Sequence, residues 1–356
     1  MARRAKSAHR DRMRLAILLA AIAACGGASN TMPPPVALPE LPVSGAAPSA
    51  HGAVADLRCG APPKLPRAGF RHHHDHLIAE LGHPHHRAED VIAMPDEDQH
   101  VAGKLAYGAL SLDDEDVELY ACTPAGWARV AQARSDGGGH FAIALAGAQR
   151  LGAGLRDLYA RVPADDTGTL FTAFVAPRGT PIAVTDVDGT LTASENAFPE
   201  SLVLPVSVAP QPDAAAALAR SPVQVVYLTA RGEHFTNATR RWLGEHGFPR
   251  GPVRFAPGWF ARPGDDALAA KTHVLAELTA RFAIAAGIGN RASDVAAYAG
   301  AGVPAEHIFV KLPEKERELE PLLAAHAAIG FASYAALDLS ALGAPANALT
   351  DGSGAR

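Results

Sequence analysis

Apolar, strand-like runs that alternate with helix-like stretches constrain the fold of this chain more than any other feature. From Gly179 onward, five such runs follow one another: PIAVTD, PVQVVYLTA, GPVRFAP, AIAAGIGN and EHIFVKL. Helix-like stretches lie at residues 233–246, 266–280 and 294–299. Apolar strands that alternate with helices are typical of a parallel sheet that is covered on both faces. Residues 178–340 are therefore predicted to form a Rossmann-like, doubly wound α/β domain.

Polar side chains stand where these runs end. Asp186, Thr229 and Asn290 each follow directly on a strand-like run. Doubly wound sheets bind their ligands at the carboxyl ends of the strands. We therefore expect a functional site at this edge of the sheet.

The segment TDVDGT carries the strongest chemical signal. Asp186 and Asp188 are two residues apart and leave the sheet together. Because their negative charges repel, one of them must meet a cation or take up a proton. Mg²⁺ suits a site built from oxygen ligands, and it accompanies phosphate. Gly189 would permit a sharp turn, and Thr190 can hydrogen-bond a carboxylate.

This segment resembles motif one of the haloacid-dehalogenase-type phosphotransferases. The remaining motifs of that superfamily follow in order along the chain. Thr229 matches motif two, Lys271 in a predicted helix matches motif three, and Asp294 in GIGNRASD matches motif four. Asn290 stands where that superfamily frequently has an aspartate.

Longer segments resemble a narrower family, the lipins, which are Mg²⁺-dependent phosphatidate phosphatases. The resemblance covers about residues 180–312 and rests on four segments: DVDGTLTASE, YLTARG, TRRWLGEHGFPRGPV and GNRASDVAAYAGAGVP. It implies hydrolysis of phosphatidate to diacylglycerol and phosphate. It also implies an immunoglobulin-like unit beside the catalytic domain.

The resemblance assigns roles to individual residues. Asp186 would attack phosphorus and form an aspartyl-phosphate, while Asp188 would act as general acid and base. Thr229 and Lys271 would hold phosphate oxygens. Mg²⁺ would bind Asp186, Asp188 through its carbonyl, and Asp294, with Asn290 as a direct or water-mediated ligand. Substrate-binding roles are assigned to three further side chains: Thr190, Arg231 and Arg291. The two arginines could instead form structural ion pairs.

A second body precedes the α/β domain. Between residues 100 and 177, short β-rich runs are separated by turn signals such as DDED, DGGG and DDTG. Strands at this spacing are typical of a small antiparallel sandwich, here interpreted as immunoglobulin-like.

The ends of the chain differ from both bodies. Residues 1–24 combine six basic side chains with a short apolar run and are interpreted as a signal peptide. IAACG then resembles a bacterial lipobox with Cys25 as the acylated residue, although a plain signal peptide cleaved nearby is the alternative. This interpretation predicts an exported lipoprotein, anchored in the periplasm or at the cell surface of the envelope. Residues 25–70 are interpreted as a flexible tether and residues 341–356 as a disordered tail.

The sequence leaves two alternatives for each of two further features, the His-rich segment and a pair of cysteines. The segment of residues 71–99 holds seven of the 16 histidines between His72 and His86, which indicates either a metal site or a solvated polar segment. Cys59 and Cys122 could form a disulfide or remain free thiols.

Charge and spacing limit the function. A net charge of −5 argues against a nucleic-acid partner. Only 38 residues separate Thr190 from Thr229, which leaves little room for a large cap domain and suits a phosphate on a bilayer. Phosphatidate is the predicted substrate, and soluble phosphomonoesters or phosphoproteins are the alternative. A non-catalytic phosphatidate-binding module and a metal-binding envelope protein are the rivals from other classes.

Overall fold

A computed structural model of the chain describes residues 55–193, 208–256, 265–313, 315–340 and 342. The predicted signal peptide, Cys25 and nearly all of the predicted tail lie outside these residues. No helix within the described ranges is long and apolar enough to cross a bilayer.

The first body, called the sandwich below, consists of short strands in two facing sheets. Its strands are β1 (Asp56–Leu57), β2 (Arg87–Ala88), β3 (Val91–Ala93), β4 (Gln99–Lys104), β5 (Ala106–Tyr107), β6 (Leu110–Ser111), β7 (Asp116–Thr123), β8 (Gly126–Arg134), β9 (His140–Leu145), β10 (Gly154–Val162) and β11 (Thr167–Val175). One sheet has the order β3-β11-β10-β7-β8, with β1 beside β10, and the other has the order β2-β4-β9. Strands β5 and β6 form a separate hairpin.

Alternation of apolar and polar residues explains the second sheet. In β9 the side chains alternate between exposed and buried, so that Phe141, Ile143 and Leu145 face the core. They share one apolar cluster with Leu119 and Leu158 of the larger sheet. The predicted two-sheet sandwich is therefore confirmed at this level.

The sandwich begins earlier in the chain than the sequence predicts. Strands β1, β2 and β3 lie within residues 55–99, which the sequence assigns to the tether and the His-rich segment. β1 and β3 pair in parallel with β10 and β11, so the sheet is not purely antiparallel. These strands are only two or three residues long, which is too short to show an alternating pattern. Their pairing with neighbouring strands holds them in the sheets.

The His-rich segment is structured. Its first part forms helix α1 (His73–Leu81), and His86 is buried between Thr167 and the backbone N–H of Ala106. Burial lowers the pKa of His86 to about 4. Among the described residues, no group of three or more His, Cys, Asp or Glu side chains could hold a metal ion.

Cys59 and Cys122 form a disulfide. It closes a separation of 63 residues and ties the segment after β1 to the end of β7. Arg161 adds a hydrogen bond from its guanidinium to the carbonyl of Pro66. The residues predicted as the end of a tether are therefore held against the sandwich.

The second body, called the α/β body below, is a six-stranded parallel sheet with helices. Its strands are β12 (Pro181–Asp186), β13 (Gln224–Gly232), β14 (Val253–Ala256), β15 (Ala283–Gly289), β16 (Ile308–Lys311) and β17 (Ile329–Phe331). Its helices are α2 (Ala214–Ala219), α3 (Thr236–Glu245), α4 (Asp265–Thr279), α5 (Ala292–Gly300) and α6 (Glu316–Ala324). The strand order is β14-β13-β12-β15-β16-β17, which confirms the predicted parallel α/β fold.

Successive residues of the central strands enter two different cores. In β13, Val225 and Tyr227 pack on one face, whereas Val226 and Leu228 pack on the other. Apolar side chains therefore cover both faces, as the continuous apolar runs predict. β17 was not predicted, because its three residues carry too short a pattern.

A buried carboxylate joins the two bodies. Asp90 follows β2 and accepts hydrogen bonds from the backbone N–H of Thr172, at 2.7 Å, and of Val253, at 2.7 Å. It also accepts from Arg240 Nη2 of helix α3 at 2.8 Å. Its side chain is 1% exposed. One carboxylate thus fixes a strand of the sandwich against a helix and a strand of the α/β body.

Replacing Asp90 tests this junction. We expect Asp90→Ala to lower the free energy of unfolding by about 3–5 kcal/mol, because Arg240 would keep its charge without a buried partner. Asp96→Ala, at an exposed position of the same segment, should change it by no more than about 0.5 kcal/mol. Urea unfolding of both variants measures the difference. Equal stabilities would show that Asp90 does not hold the bodies together.

Candidate active site

The parallel sheet gathers the predicted side chains at one edge. Asp186 is the last residue of β12, Thr229 lies in the last part of β13, and Asn290 follows β15 directly. β12 lies between β13 and β15, so these three positions are neighbours. The structure therefore brings these predicted residues together at one edge of the sheet, and their role as a functional site stays a prediction.

Lys271 of helix α4 is the central cation of the site. Its Nζ donates to Asp186 Oδ1 at 2.7 Å and to Asp294 Oδ1 at 2.5 Å. All three side chains are nearly inaccessible to solvent. The ammonium therefore lies between two buried carboxylates and neutralises part of their charge.

Asp294 is fixed by the first turn of helix α5. Its Oδ2 accepts hydrogen bonds from the backbone N–H groups of Asn290, at 3.0 Å, and Arg291, at 3.1 Å. Negative charge is also favoured at the N-terminus of a helix. Gly289 is required by this close approach, because a Cβ there would lie 2.4 Å from Asp294 Cβ.

Thr190 connects the first motif to the fourth. Its Oγ1 lies 3.0 Å from Asp186 Oδ2 and 3.2 Å from Asn290 Oδ1. Gly189 has a φ of 74°, which permits the turn that brings Thr190 back to Asp186. The predicted contact between the threonine hydroxyl and a carboxylate is therefore present.

Asp188 points to a different partner. Arg231 donates to both of its oxygens, with Nη2 at 2.7 Å from Oδ1 and Nε at 3.1 Å from Oδ2. Thr229 Oγ1 donates to Oδ2 at 2.9 Å. Arg231 is held in turn by Thr239 of helix α3, whose hydroxyl accepts from Nη1 at 2.9 Å. Arg231 is therefore part of the site.

Exposure distinguishes the three carboxylates. The side chain of Asp188 is 22% exposed, against 4% for Asp186 and 0% for Asp294. Burial raises the pKa of Asp186, Lys271 lowers it, and the charges of Asp294 and Asp188 raise it further. For Lys271 burial alone would lower the pKa, but the two carboxylates raise it above its usual value. Solvent therefore reaches the site at Asp188, whose partner Arg231 is itself buried.

These oxygen atoms match the preference of Mg²⁺ only in part. Asp186, Asp294 and Asn290 are gathered, but the ammonium of Lys271 lies between the two carboxylates. The side chain of Asp188 is turned to Arg231. The set is therefore incomplete for Mg²⁺ in this arrangement, and the magnesium ion stays a prediction.

Some contacts of the site gave no signal in the sequence. Tyr334 lies in a short turn after β17 and donates to the carbonyl of Thr190 at 2.9 Å. Thr192 accepts from the backbone N–H of Gly189. Arg291 contributes its backbone N–H to Asp294 and is partly exposed, and its predicted role in substrate binding stays a prediction.

Two family models match separate parts of the chain. The model described as the PITM 1–3 LNS2 domain matches residues 183–311, and the model described as the PITM 1–3 beta-sandwich domain matches residues 84–175. The matched ranges correspond to the α/β body and to most of the sandwich. This chain resembles the PITM 1–3 proteins, not the lipins.

Curated relatives agree with these models. Membrane-associated phosphatidylinositol transfer protein 3 of Mus musculus is 26% identical over 232 residues, which are 63% of this chain and 23% of that protein. Protein retinal degeneration B of Drosophila melanogaster is 27% identical over 233 residues, 63% of this chain and 18% of that protein. The chain thus spans about a quarter or less of the relatives' length.

The comparisons correct two predictions. The lipin resemblance rests on residues 180–312, which are nearly the same residues that the PITM 1–3 LNS2 model matches. Those motifs describe the strand-end site and do not separate the two families. The predicted bacterial lipoprotein of the cell envelope is also wrong, because the relatives are proteins of Mus musculus and Drosophila melanogaster, among them a membrane-associated phosphatidylinositol transfer protein. Cys25, the predicted anchor residue, lies outside the described residues.

Two variants test the charge balance of the site. Lys271→Met should lower the free energy of unfolding by about 3–5 kcal/mol, because two buried carboxylates would lose their shared cation. Asp186→Asn should leave it unchanged or raise it, because burial already disfavours the ionised form of Asp186. Thermal or urea unfolding measures both. A loss in Asp186→Asn as large as in Lys271→Met would contradict this balance.

Proposed function

We propose that the α/β body binds the phosphate of a phospholipid head group at the strand-end site. The relatives are membrane-associated proteins whose names include phosphatidylinositol transfer, which supports a phospholipid as partner. The observation that carries the proposal is the bidentate pair of Arg231 and Asp188 at the solvent side of the site.

The geometry of this pair suits a phosphate. A guanidinium binds a carboxylate and a phosphate through the same planar fork of N–H groups. Asp188 is the most exposed acid of the site, and the Arg231 side chain is only 4% exposed. A phosphate that replaces the Asp188 carboxylate would therefore meet an arginine that Thr239 already holds in position.

The neighbouring hydroxyl supplies a second donor. Thr229 Oγ1 donates to the same carboxylate as Arg231. Once Asp188 moves aside, this hydroxyl can donate to a phosphate oxygen instead. Lys271 lies deeper, between Asp186 and Asp294, and attracts the anion from there.

Hydrolysis of the bound phosphate is the second candidate. It is favoured by the presence of both Asp186 and Asp188, since a module that only binds has no need of a nucleophile. Asp186 Oδ2 is oriented by Thr190 and Oδ1 by Lys271. In this arrangement the Asp188 carboxylate is engaged by Arg231, so it must leave that pair before it can protonate a leaving alcohol. Both candidate functions thus require the same pair to open.

Flotation with lipid vesicles tests the binding. Vesicles of phosphatidylcholine that contain phosphatidate should carry the full chain upward, whereas pure phosphatidylcholine vesicles should not. Arg231→Gln should weaken the binding about tenfold or more, because charge-assisted hydrogen bonds to the phosphate are lost. Arg241→Gln, an exposed arginine of the same body, is the matched control and should bind as the unchanged chain does.

Phosphate release separates the two candidates. The chain and Asp186→Asn are incubated with phosphatidate in mixed micelles, with and without Mg²⁺, and free phosphate is measured. Release that Asp186→Asn abolishes would establish hydrolysis, whereas binding without release would establish the binding module. Binding that survives in Arg231→Gln as well as in Arg241→Gln would contradict the proposed site.

A further inference from the structure

A second cleft, with several charged side chains in its lining, lies where the sandwich meets the α/β body. It has a volume of about 470 Å³ and is lined on one side by the sheet of β2, β4 and β9. Glu233 and Thr236 of the α/β body line the other side. None of these residues belongs to the strand-end site.

A row of basic side chains crosses the sheet in this cleft. Arg87 of β2 stands directly opposite Lys104 of β4, and Lys104 stands directly opposite His140 of β9. Residues directly opposite one another in an antiparallel ladder project to the same face. The permanent charges of Arg87 and Lys104 at such positions repel, so this part of the sheet favours an anion close to it.

The donors of this row are not fully used. Arg87 has a side chain that is 6% exposed, and its Nη2 donates to Glu233 Oε1 at 2.7 Å. Its Nε is buried and finds no hydrogen-bond partner among the described residues. A buried guanidinium N–H without an acceptor is costly, so the cleft favours a ligand that brings acceptor oxygens.

The acidic side chains of the cleft compensate Arg87 and His140 but not Lys104. Glu233 is held by Arg87. Asp136 accepts from the backbone N–H groups of Gly138 and His140, and its Oδ1 also lies 3.6 Å from Nδ1 of the His140 ring. Glu89 also lines the cleft and is exposed to solvent. Within the described ranges, the Lys104 ammonium makes no ion pair with any of them.

We propose that this cleft is a second phosphate-binding site, distinct from the strand-end site. The phosphate would lie over the row of Arg87, Lys104 and His140. It would accept hydrogen bonds from the buried guanidinium and from the lysine, and it would compete with the Glu233 carboxylate for Arg87. The volume is large enough for a phosphate with a small polar carrier. The site does not depend on the function proposed for the strand ends.

A ¹⁵N NMR titration of the full chain with inorganic phosphate tests the site residue by residue. The amides of Lys104 and His140 report on the cleft, and those of Gly189 and Asn290 report on the strand ends. Saturable shifts at Lys104 and His140 are expected whether or not Gly189 and Asn290 also move. Absence of saturable shifts at Lys104 and His140 would overturn the proposal, whatever happens at the strand ends.

Three variants sharpen the test. Lys104→Gln should weaken the phosphate affinity of the cleft about tenfold, since it removes one charged donor. Lys64→Gln, which removes a lysine of the sandwich outside the cleft, should leave that affinity unchanged. Glu233→Gln should strengthen it several-fold, because the competing carboxylate is neutral. Equal effects of Lys104→Gln and Lys64→Gln, or weaker binding in Glu233→Gln, would contradict the site.

A second ligand tests whether the cleft recognises a lipid head group or the phosphate group alone. The same titration is repeated with a short-chain, soluble phosphatidate. Tighter binding at Lys104 and His140 than with inorganic phosphate would assign a lipid head group to the cleft. Equal affinity would assign recognition to the phosphate group alone.

Discussion

The ammonium of Lys271, shared between Asp186 and Asp294, is the interaction on which the site depends. Two carboxylates buried at the ends of neighbouring strands repel each other, and burial penalises their charge. The lysine lowers that cost, and the first turn of helix α5 lowers it further through two backbone N–H groups. The parallel sheet makes the arrangement possible because it brings these strand ends to one edge.

Beside this buried centre, Asp188 is the acid of the site that is most accessible to solvent. Asp188 and Arg231 form the outer layer, and Thr239 holds the arginine from behind. In the proposed function, a phosphate would take the place of the Asp188 carboxylate, since both anions bind the same fork of guanidinium N–H groups. The segment after Arg231 reaches Glu233, which contacts Arg87 of the sandwich. The two bodies are thus joined beside the site, both there and through Asp90.

Much of the α/β body could be predicted from the sequence, because its strands are continuous apolar runs and its chemistry follows their ends. Asp186, Thr229 and Asn290 were located in this way. The ion pair of Asp188 with Arg231 was only an open alternative, and the roles of Asp90 and Tyr334 gave no signal, because their partners lie far away in the chain. The strands of residues 55–99 are too short to show a pattern. The sequence motifs also did not distinguish the PITM 1–3 proteins from the lipins, because they lie only at the strand-end site.

The most direct measurement is a crystal structure of the chain with a soluble short-chain phosphatidate bound. The account predicts that the phosphate lies within hydrogen-bond distance of the Arg231 guanidinium and the Thr229 hydroxyl, with the Asp188 carboxylate displaced from both. A bound phosphatidate that leaves the pair of Asp188 and Arg231 intact, with its phosphate away from the strand ends, would contradict it.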